Sequence, residues 1–166
     1  MSSKTIVLGT KNDLNNPWLE SVRGCHQDKL RRWKNHHAAS FLHQKTISVT
    51  CQEEWFEAYL LRSEDFMFMV MERGQPIGCI GIRYRDGMWD LYNVIRGLSS
   101  LDSAGFMSLA FNMVVAFAQG IRPICVGCEV ITGNPALSWY LRNGFVVVGN
   151  DPRVTAMRYQ DKVVPK

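Results

Sequence analysis

The sequence predicts a single α+β domain, with a mixed, mostly antiparallel sheet of about seven strands flanked by about four helices. Three observations predict it. Between Phe66 and Ile95, three apolar or alternating runs follow one another with only short turn segments between them, the pattern of an antiparallel meander. Phe106, Leu109, Ala110, Met113, Val114 and Phe117 then recur at helical spacing. A strand-like run, a short helical segment and a hairpin close the chain. With 166 residues, 46% of them hydrophobic, the chain suffices for one core and is too short for two, so residues 1–166 read as one domain.

Taken in order, the elements begin with a strand at Thr5 to Leu8. After the turn-rich Asn12 to Pro17, apolar Trp18, Leu19, Val22, Cys25, Leu30 and Trp33 predict a first helix ending near Asn35. Thr50-Cys-Gln-Glu53 reads as a capping box, whose hydroxyl and carboxylate satisfy first-turn backbone donors. It opens a second helix burying Trp55, Phe56, Tyr59 and Leu60. The meander comprises Phe66 to Glu72, Ile77 to Arg85 and Met88 to Ile95, broken by Arg73-Gly-Gln-Pro76 and the hairpin dipeptide Asp86-Gly87. The third helix is apolar nearly all round, with Gly120 placed to cap it. Ile124 to Ile131 reads as an internal strand. Asn134-Pro135 opens a short fourth helix that Gly144 stops. Phe145 to Val148 and Val154 to Tyr159 form the last hairpin.

Composition excludes several classes of function. No apolar run approaches the roughly 18 residues that a bilayer-spanning helix needs, and the N-terminus lacks a secretory pattern; a cytoplasmic location without membrane association is expected. Cys25, Cys51, Cys79, Cys125 and Cys128 are an odd set in apolar contexts, read as buried structural thiols. The spacings of His26, His36, His37 and His43 complete no metal site, and no metal is expected. Residues 1–50 hold eight Lys/Arg against three acids. That excess suits a small anionic ligand and lacks the dense basic stripe of a nucleic-acid binder.

The chemistry concentrates late in the chain. A strand ending at Ile95-Arg96 leads through Ser99, Ser100, Leu101, Asp102, Ser103, Ala104 and Gly105 into the buried helix. A small-residue turn at a helix N-terminus leaves backbone N–H groups free to hold phosphate. A tyrosine hydroxyl near neighbouring strand ends could protonate a departing thiolate as general acid. Taken alone, Tyr140 fits a core tyrosine on an amphipathic helix better than a general acid, and Asn134 is a helix cap under either reading.

In Ala136, Tyr140, Gly144 and Phe145 the chain resembles the GNAT superfamily of acyl-CoA-dependent N-acetyltransferases, whose closing motif has that spacing. Asn134 stands one residue closer to the alanine than is usual. Ser100-Leu-Asp-Ser103-Ala-Gly105 departs from the superfamily's phosphate loop, lacking its usual cation and first glycine. In Trp33-Lys34-Asn35, Ile47-Ser48, Trp55-Phe56 and Pro76-Ile77-Gly78 the N-terminal half is similar to the branch of ribosomal-protein N-terminal and pseudaminic-acid-pathway amino-sugar acetyltransferases. The resemblance implies a GNAT-like fold, acetyl-CoA as co-substrate, a small-molecule primary amine as acceptor, and a homodimer. It implies that Val94, Ile95, Arg96, Leu101, Ser103, Ala104, Gly105, Phe106, Asn134 and Tyr140 contact acetyl-CoA. Tyr140 is the implied general acid, with Glu129 or Asp90 as base. Trp33, Asn35, His37 and Tyr92 would meet the acceptor. A nucleotide-linked amino sugar leads among acceptors because Lys34 to Lys45 form a basic rim; a protein N-terminal amine follows. The alternative from another class is a non-catalytic module that binds acyl-CoA or a partner through the same fold.

Overall fold

The computed structural model describes residues 5–11, 13–97 and 105–160. Strands β1 (Val7–Leu8), β2 (Trp18–Ser21), β3 (Asp65–Glu72), β4 (Gln75–Arg85), β5 (Met88–Arg96), β6 (Val126–Ile131), β7 (Phe145–Asn150) and β8 (Val154–Tyr159) form one sheet in the order β1-β2-β3-β4-β5-β6-β8-β7. Every neighbouring pair is antiparallel except β5 and β6. Helices α1 (Gln27–His36), α2 (Val49–Leu60), α3 (Phe106–Ile121) and α4 (Leu137–Arg142) cover the two faces.

Strand alternation sends neighbouring side chains into two different cores. Phe68, Val70, Ile80, Ile82, Trp89 and Leu91 face α3, where Ala110, Phe111 and Val114 are fully buried. Met67, Met69, Met71, Cys79 and Ile95 face Leu30 and Trp33 of α1 and Tyr59 of α2. Phe111 packs against Phe145 and Tyr159, each 5.5 Å away between ring centroids. The Asp86-Gly87 turn has φ of 51° and 81°, the left-handed pair of a type I′ hairpin. Gly144, at φ 92°, ends α4 as expected.

The sheet has eight strands because Trp18–Ser21 is a strand, not the start of a helix. Trp18 belongs to the α1 and α2 core and Leu19 to the α3 core. Only an extended backbone sends neighbours to opposite faces. The helix proper starts at Gln27, where Leu30 and Trp33 share one face. The cap of α2 is Ser48, whose Oγ accepts from the Cys51 N–H at 3.1 Å, so Thr50 and Glu53 lie inside the helix. Gly120 stays helical; α3 ends one residue later and Arg122 leaves in an extended conformation. Asn134 caps a turn, its Oδ1 accepting from the Ala136 N–H at 2.8 Å, and α4 begins only at Leu137. Cys79 and Cys128 are buried as expected, but Cys25, Cys51 and Cys125 are exposed.

Candidate functional site

β5 and β6 run parallel, yet they pair only at Trp89 with Val126 and Asp90 with Gly127. Beyond those two pairs β5 continues to Arg96, held on its other side by β4, and β6 continues to Ile131, held by β8. Each strand therefore turns an unpaired backbone edge toward a gap inside the sheet. Such edges are full of donors and acceptors that water or a ligand must satisfy.

A bulge in β5 shapes its edge. The register with β4 passes from Gly81 opposite Tyr92 to Cys79 opposite Ile95, one residue more on β5 than on β4. Asn93 absorbs the extra residue at φ 47°, a left-handed conformation that asparagine tolerates better than most residues. The Asn93 carbonyl accepts from the Cys79 thiol at 3.3 Å. Past the bulge, the Gly97 N–H still reaches Ile77 O on β4 at 2.7 Å. By alternation, the Arg96 carbonyl then lies on the gap side. His37 Nε2 approaches it at 3.1 Å. A carbonyl only accepts, so His37 carries its proton on Nε2 in this contact.

The segment after α1 reaches both ends of the gap. His37 meets β5 through Arg96, and Ser40 O accepts from the Asn134 amide, after β6, at 3.2 Å. Asn35 sets the path of the returning chain, donating to Ile47 O at 3.0 Å and accepting from the Ile47 N–H at 2.8 Å. Beneath this loop lies a cavity of about 220 Å³, bounded by α1, the start of α2, Met67, and the bulged residues Asn93 and Ile95.

The structure brings together part of the predicted set. Val94, Ile95 and Arg96 lie on the stretch of β5 beyond its two pairs with β6, and Ile95 sends its side chain into the α1 and α2 core. Gly105 and Phe106 stand at the start of α3, while Leu101, Ser103 and Ala104 lie outside the described residues. Tyr140, 9% exposed, is packed by Trp139 and Phe145, and its hydroxyl makes no hydrogen bond among the described residues. Burial first, then the Cys128 thiol on β6, pushes its phenol well above the usual range, so it holds its proton at neutral pH. Burial likewise pushes the Cys128 thiol up to about 12, which leaves it a poor nucleophile.

The two candidate bases part company. Asp90 accepts from Arg83 Nε and pairs with its terminal nitrogen, both at 2.9 Å. Glu129 lies two residues beyond Gly127 on the same face as Asp90, is exposed, and has no ion pair among the described residues. Three of the four proposed acceptor contacts serve the frame. Trp33 is a buried core residue touching Gly97, Asn35 clamps the loop, and Tyr92 donates to Asp65 beneath the Arg83 guanidinium. Among the described residues no cluster of three His, Cys, Asp or Glu side chains could hold a metal ion.

No protein-family model and no curated protein matches the sequence. Solved structures do. FdhC, a nucleotide-linked sugar GNAT, matches with a TM-score of 0.72 at 17% identity, covering 87% of this chain and 86% of that one. Spermidine N-acetyltransferase from Vibrio cholerae, solved with CoA and spermine, matches with a TM-score of 0.71 at 17% identity, covering 84% and 92%. RimL, a ribosomal alpha-N-protein acetyltransferase solved with coenzyme A, gives 0.73 at 13% identity over 92% and 96%. The fold is that of the GNAT acetyltransferases. At these identities the likeness establishes the fold, and the three named proteins act on a nucleotide-linked sugar, a polyamine and a protein amine.

Within the GNAT fold of this chain, sequence reasoning passed over Asn93 and the residues that wall the cavity, Ile47, Cys51 and Gln52 among them. Asn93 carried one signal, an asparagine inside an otherwise apolar strand, which marks a place where left-handed backbone is tolerated. The cavity walls carried none, because they come from four elements far apart in sequence.

Proposed function

We propose that the chain transfers an acetyl group from acetyl-CoA directly to a primary amine, with no covalent enzyme intermediate. One observation carries this reading: two facing, unpaired strand edges between β5 and β6, in a GNAT fold, with a protonated and otherwise unbonded phenol beside β6. Acetyl-CoA would supply the activated acetyl group. Val94, on the β6-facing edge of β5, offers backbone partners for the amides of its arm, Arg96 would join it by exchanging its contact with His37, and the start of α3 at Gly105 and Phe106 would take its phosphates. Backbone donors of the same edge hold the thioester carbonyl as negative charge grows on it. Glu129 takes the proton that the attacking amine loses, directly or through water; Asp90 is already neutralised by Arg83. Tyr140 delivers its proton to the departing sulfur, so the products are an N-acetyl amine and free thiol. The absence of a covalent step agrees with the two raised, buried thiols, Cys79 and Cys128.

Among acceptors, a nucleotide-linked amino sugar leads. It is supported by the basic segment between α1 and α2 and by the similarity to a nucleotide-linked sugar GNAT. A protein N-terminal amine is the second choice, supported by the similarity to RimL. Thiol release from acetyl-CoA across a panel of amino-sugar nucleotides, peptides and small amines tests the proposal. Saturable release with any of them supports it. Binding of acetyl-CoA without release from any amine identifies a binding module instead.

A further inference from the structure

The cavity under the α1–α2 loop has an unusual charge balance. Its walls are mostly apolar, with Leu30, Ile47, Trp55 and Met67 prominent, and among the described residues no Asp or Glu lines it. The one cation among the described lining residues is Lys34, from the last turn of α1. Lys34 has no carboxylate partner among the described residues; its Nζ lies 5.4 Å from the centroid of the Phe41 ring, and the neighbouring Arg83 is already paired with Asp90. Burial, with a smaller contribution from Arg83, holds the Lys34 ammonium below the ordinary lysine range. Of the two amide side chains in the wall, Gln52 and Asn93, Gln52 donates to Gln27 at 2.7 Å. An ammonium among apolar walls gains most from an anion brought in by a ligand.

We infer that this cavity takes an amine acceptor bearing an anionic group, phosphate or carboxylate, close to its amine, and that Lys34 selects it. The inference rests on the acetyl-transfer reading for the word acceptor, and on the cavity alone for the anion. The amine end would lie toward Asn93 and Ile95, where the cavity meets the bulged edge of β5. The same geometry disfavours polyamines, whose charges would meet Lys34 with no carboxylate among the described wall residues to offset the repulsion.

Cys51 lines the same cavity and is exposed, which allows a test that needs no turnover. The full chain is alkylated with iodoacetate and with iodoacetamide, and rates are read thiol by thiol by peptide mass spectrometry. Cys25 and Cys125 serve as exposed controls. The ratio of anionic to neutral reagent should be several-fold higher at Cys51 than at the controls, fall to the control value in Lys34→Met, and persist in Lys34→Arg. An equal ratio at all three thiols in the wild-type chain overturns the anion site. Acetyl transfer is then compared for glucosamine 6-phosphate against glucosamine, β-alanine against β-alanine amide, and spermidine. Lys34→Met should raise KM for the preferred anionic acceptor about tenfold or more, the range for losing one charge-assisted contact. Its kcat, and the kinetics of the uncharged partner, should hold. Whichever pair shows the effect tells phosphate from carboxylate. Preference for spermidine, or an equal loss on both members of each pair, overturns the selection by Lys34. A high Cys51 ratio with no amine acetylated would refute acetyl transfer while leaving the anion site standing.

Discussion

In the proposed transfer Tyr140 gives a proton and Glu129 takes one, and each role predicts a distinct kinetic loss. Tyr140→Phe keeps the ring that packs against Trp139 and Phe145 and removes only the proton donor. Turnover should fall by about 100-fold, the lower range for a general acid, while calorimetry finds acetyl-CoA affinity nearly unchanged. Glu129→Gln should lower kcat while leaving acetyl-CoA affinity unchanged. Asp90→Asn should leave kcat close to wild type and cost about 1 kcal/mol in a urea titration, the scale for a partly exposed ion pair. A large kcat loss in Asp90→Asn with none in Glu129→Gln would exchange their roles. His26 supplies a pH effect on stability. Its Nδ1 accepts from the Arg23 N–H at 3.1 Å and its Nε2 lies 3.3 Å from Glu20, but burial is the largest influence and keeps the ring's affinity for protons below that of an exposed histidine. The unfolded chain therefore takes up a proton first as pH falls. The stability present above the unfolded histidine range, near pH 6.5, is lost as pH falls through the lower folded value. Urea midpoints of wild type should drop between pH 7.5 and 5.5 more than those of His26→Gln; parallel drops would remove His26 as the cause.

At the scale of elements, the β5 bulge decides what the gap presents, since one extra residue re-aims every group after it. Asn93→Gly should fold normally, because glycine adopts φ 47° freely. Asn93→Val should lose about 1–2 kcal/mol from the left-handed backbone, together with acetyl-CoA affinity, read by thermal unfolding and calorimetry. Equal behaviour of the two variants would mean that the conformation at Asn93 does not matter. The meander was legible in the sequence because its turns carry strong local chemistry, Arg73-Gly74 and Asp86-Gly87, both left-handed pairs in the fold. β2 was not legible. Its four residues are buried on both faces, so they lack the alternation of a half-exposed strand, and Trp18, Leu19 and Val22 mimic one turn of helix. The Ser48 cap was hidden behind a better-looking capping box two residues later, although Ser48 alone has its Oγ on the Cys51 N–H.

At the scale of the whole molecule, the order of elements and the closing Ala136-to-Phe145 motif sufficed to expect a GNAT fold, and the solved structures share it. The site was legible only in part. Residues on one local stretch, Ile95 with Arg96 or Asn134 with Tyr140, became candidates through the resemblance of the order of elements and the closing motif. The separation of Asp90 from Glu129 depends on Arg83 across the sheet, and the cavity depends on contacts between α1, α2, β3 and β5, none of which leaves a periodic mark in the sequence. Fold alone does not make an acetyltransferase, and the loop from Ser100 to Gly105 departs from the superfamily pattern, so the central claim turns on acetyl-CoA itself. The most direct measurement is a calorimetric titration of the full chain with acetyl-CoA, with free CoA and a longer acyl-CoA as comparisons. Binding of acetyl-CoA at micromolar strength, about −8 kcal/mol, is the result predicted for a gap that holds the acyl donor. No heat of binding from any of the three would contradict the account and leave a GNAT fold put to another use.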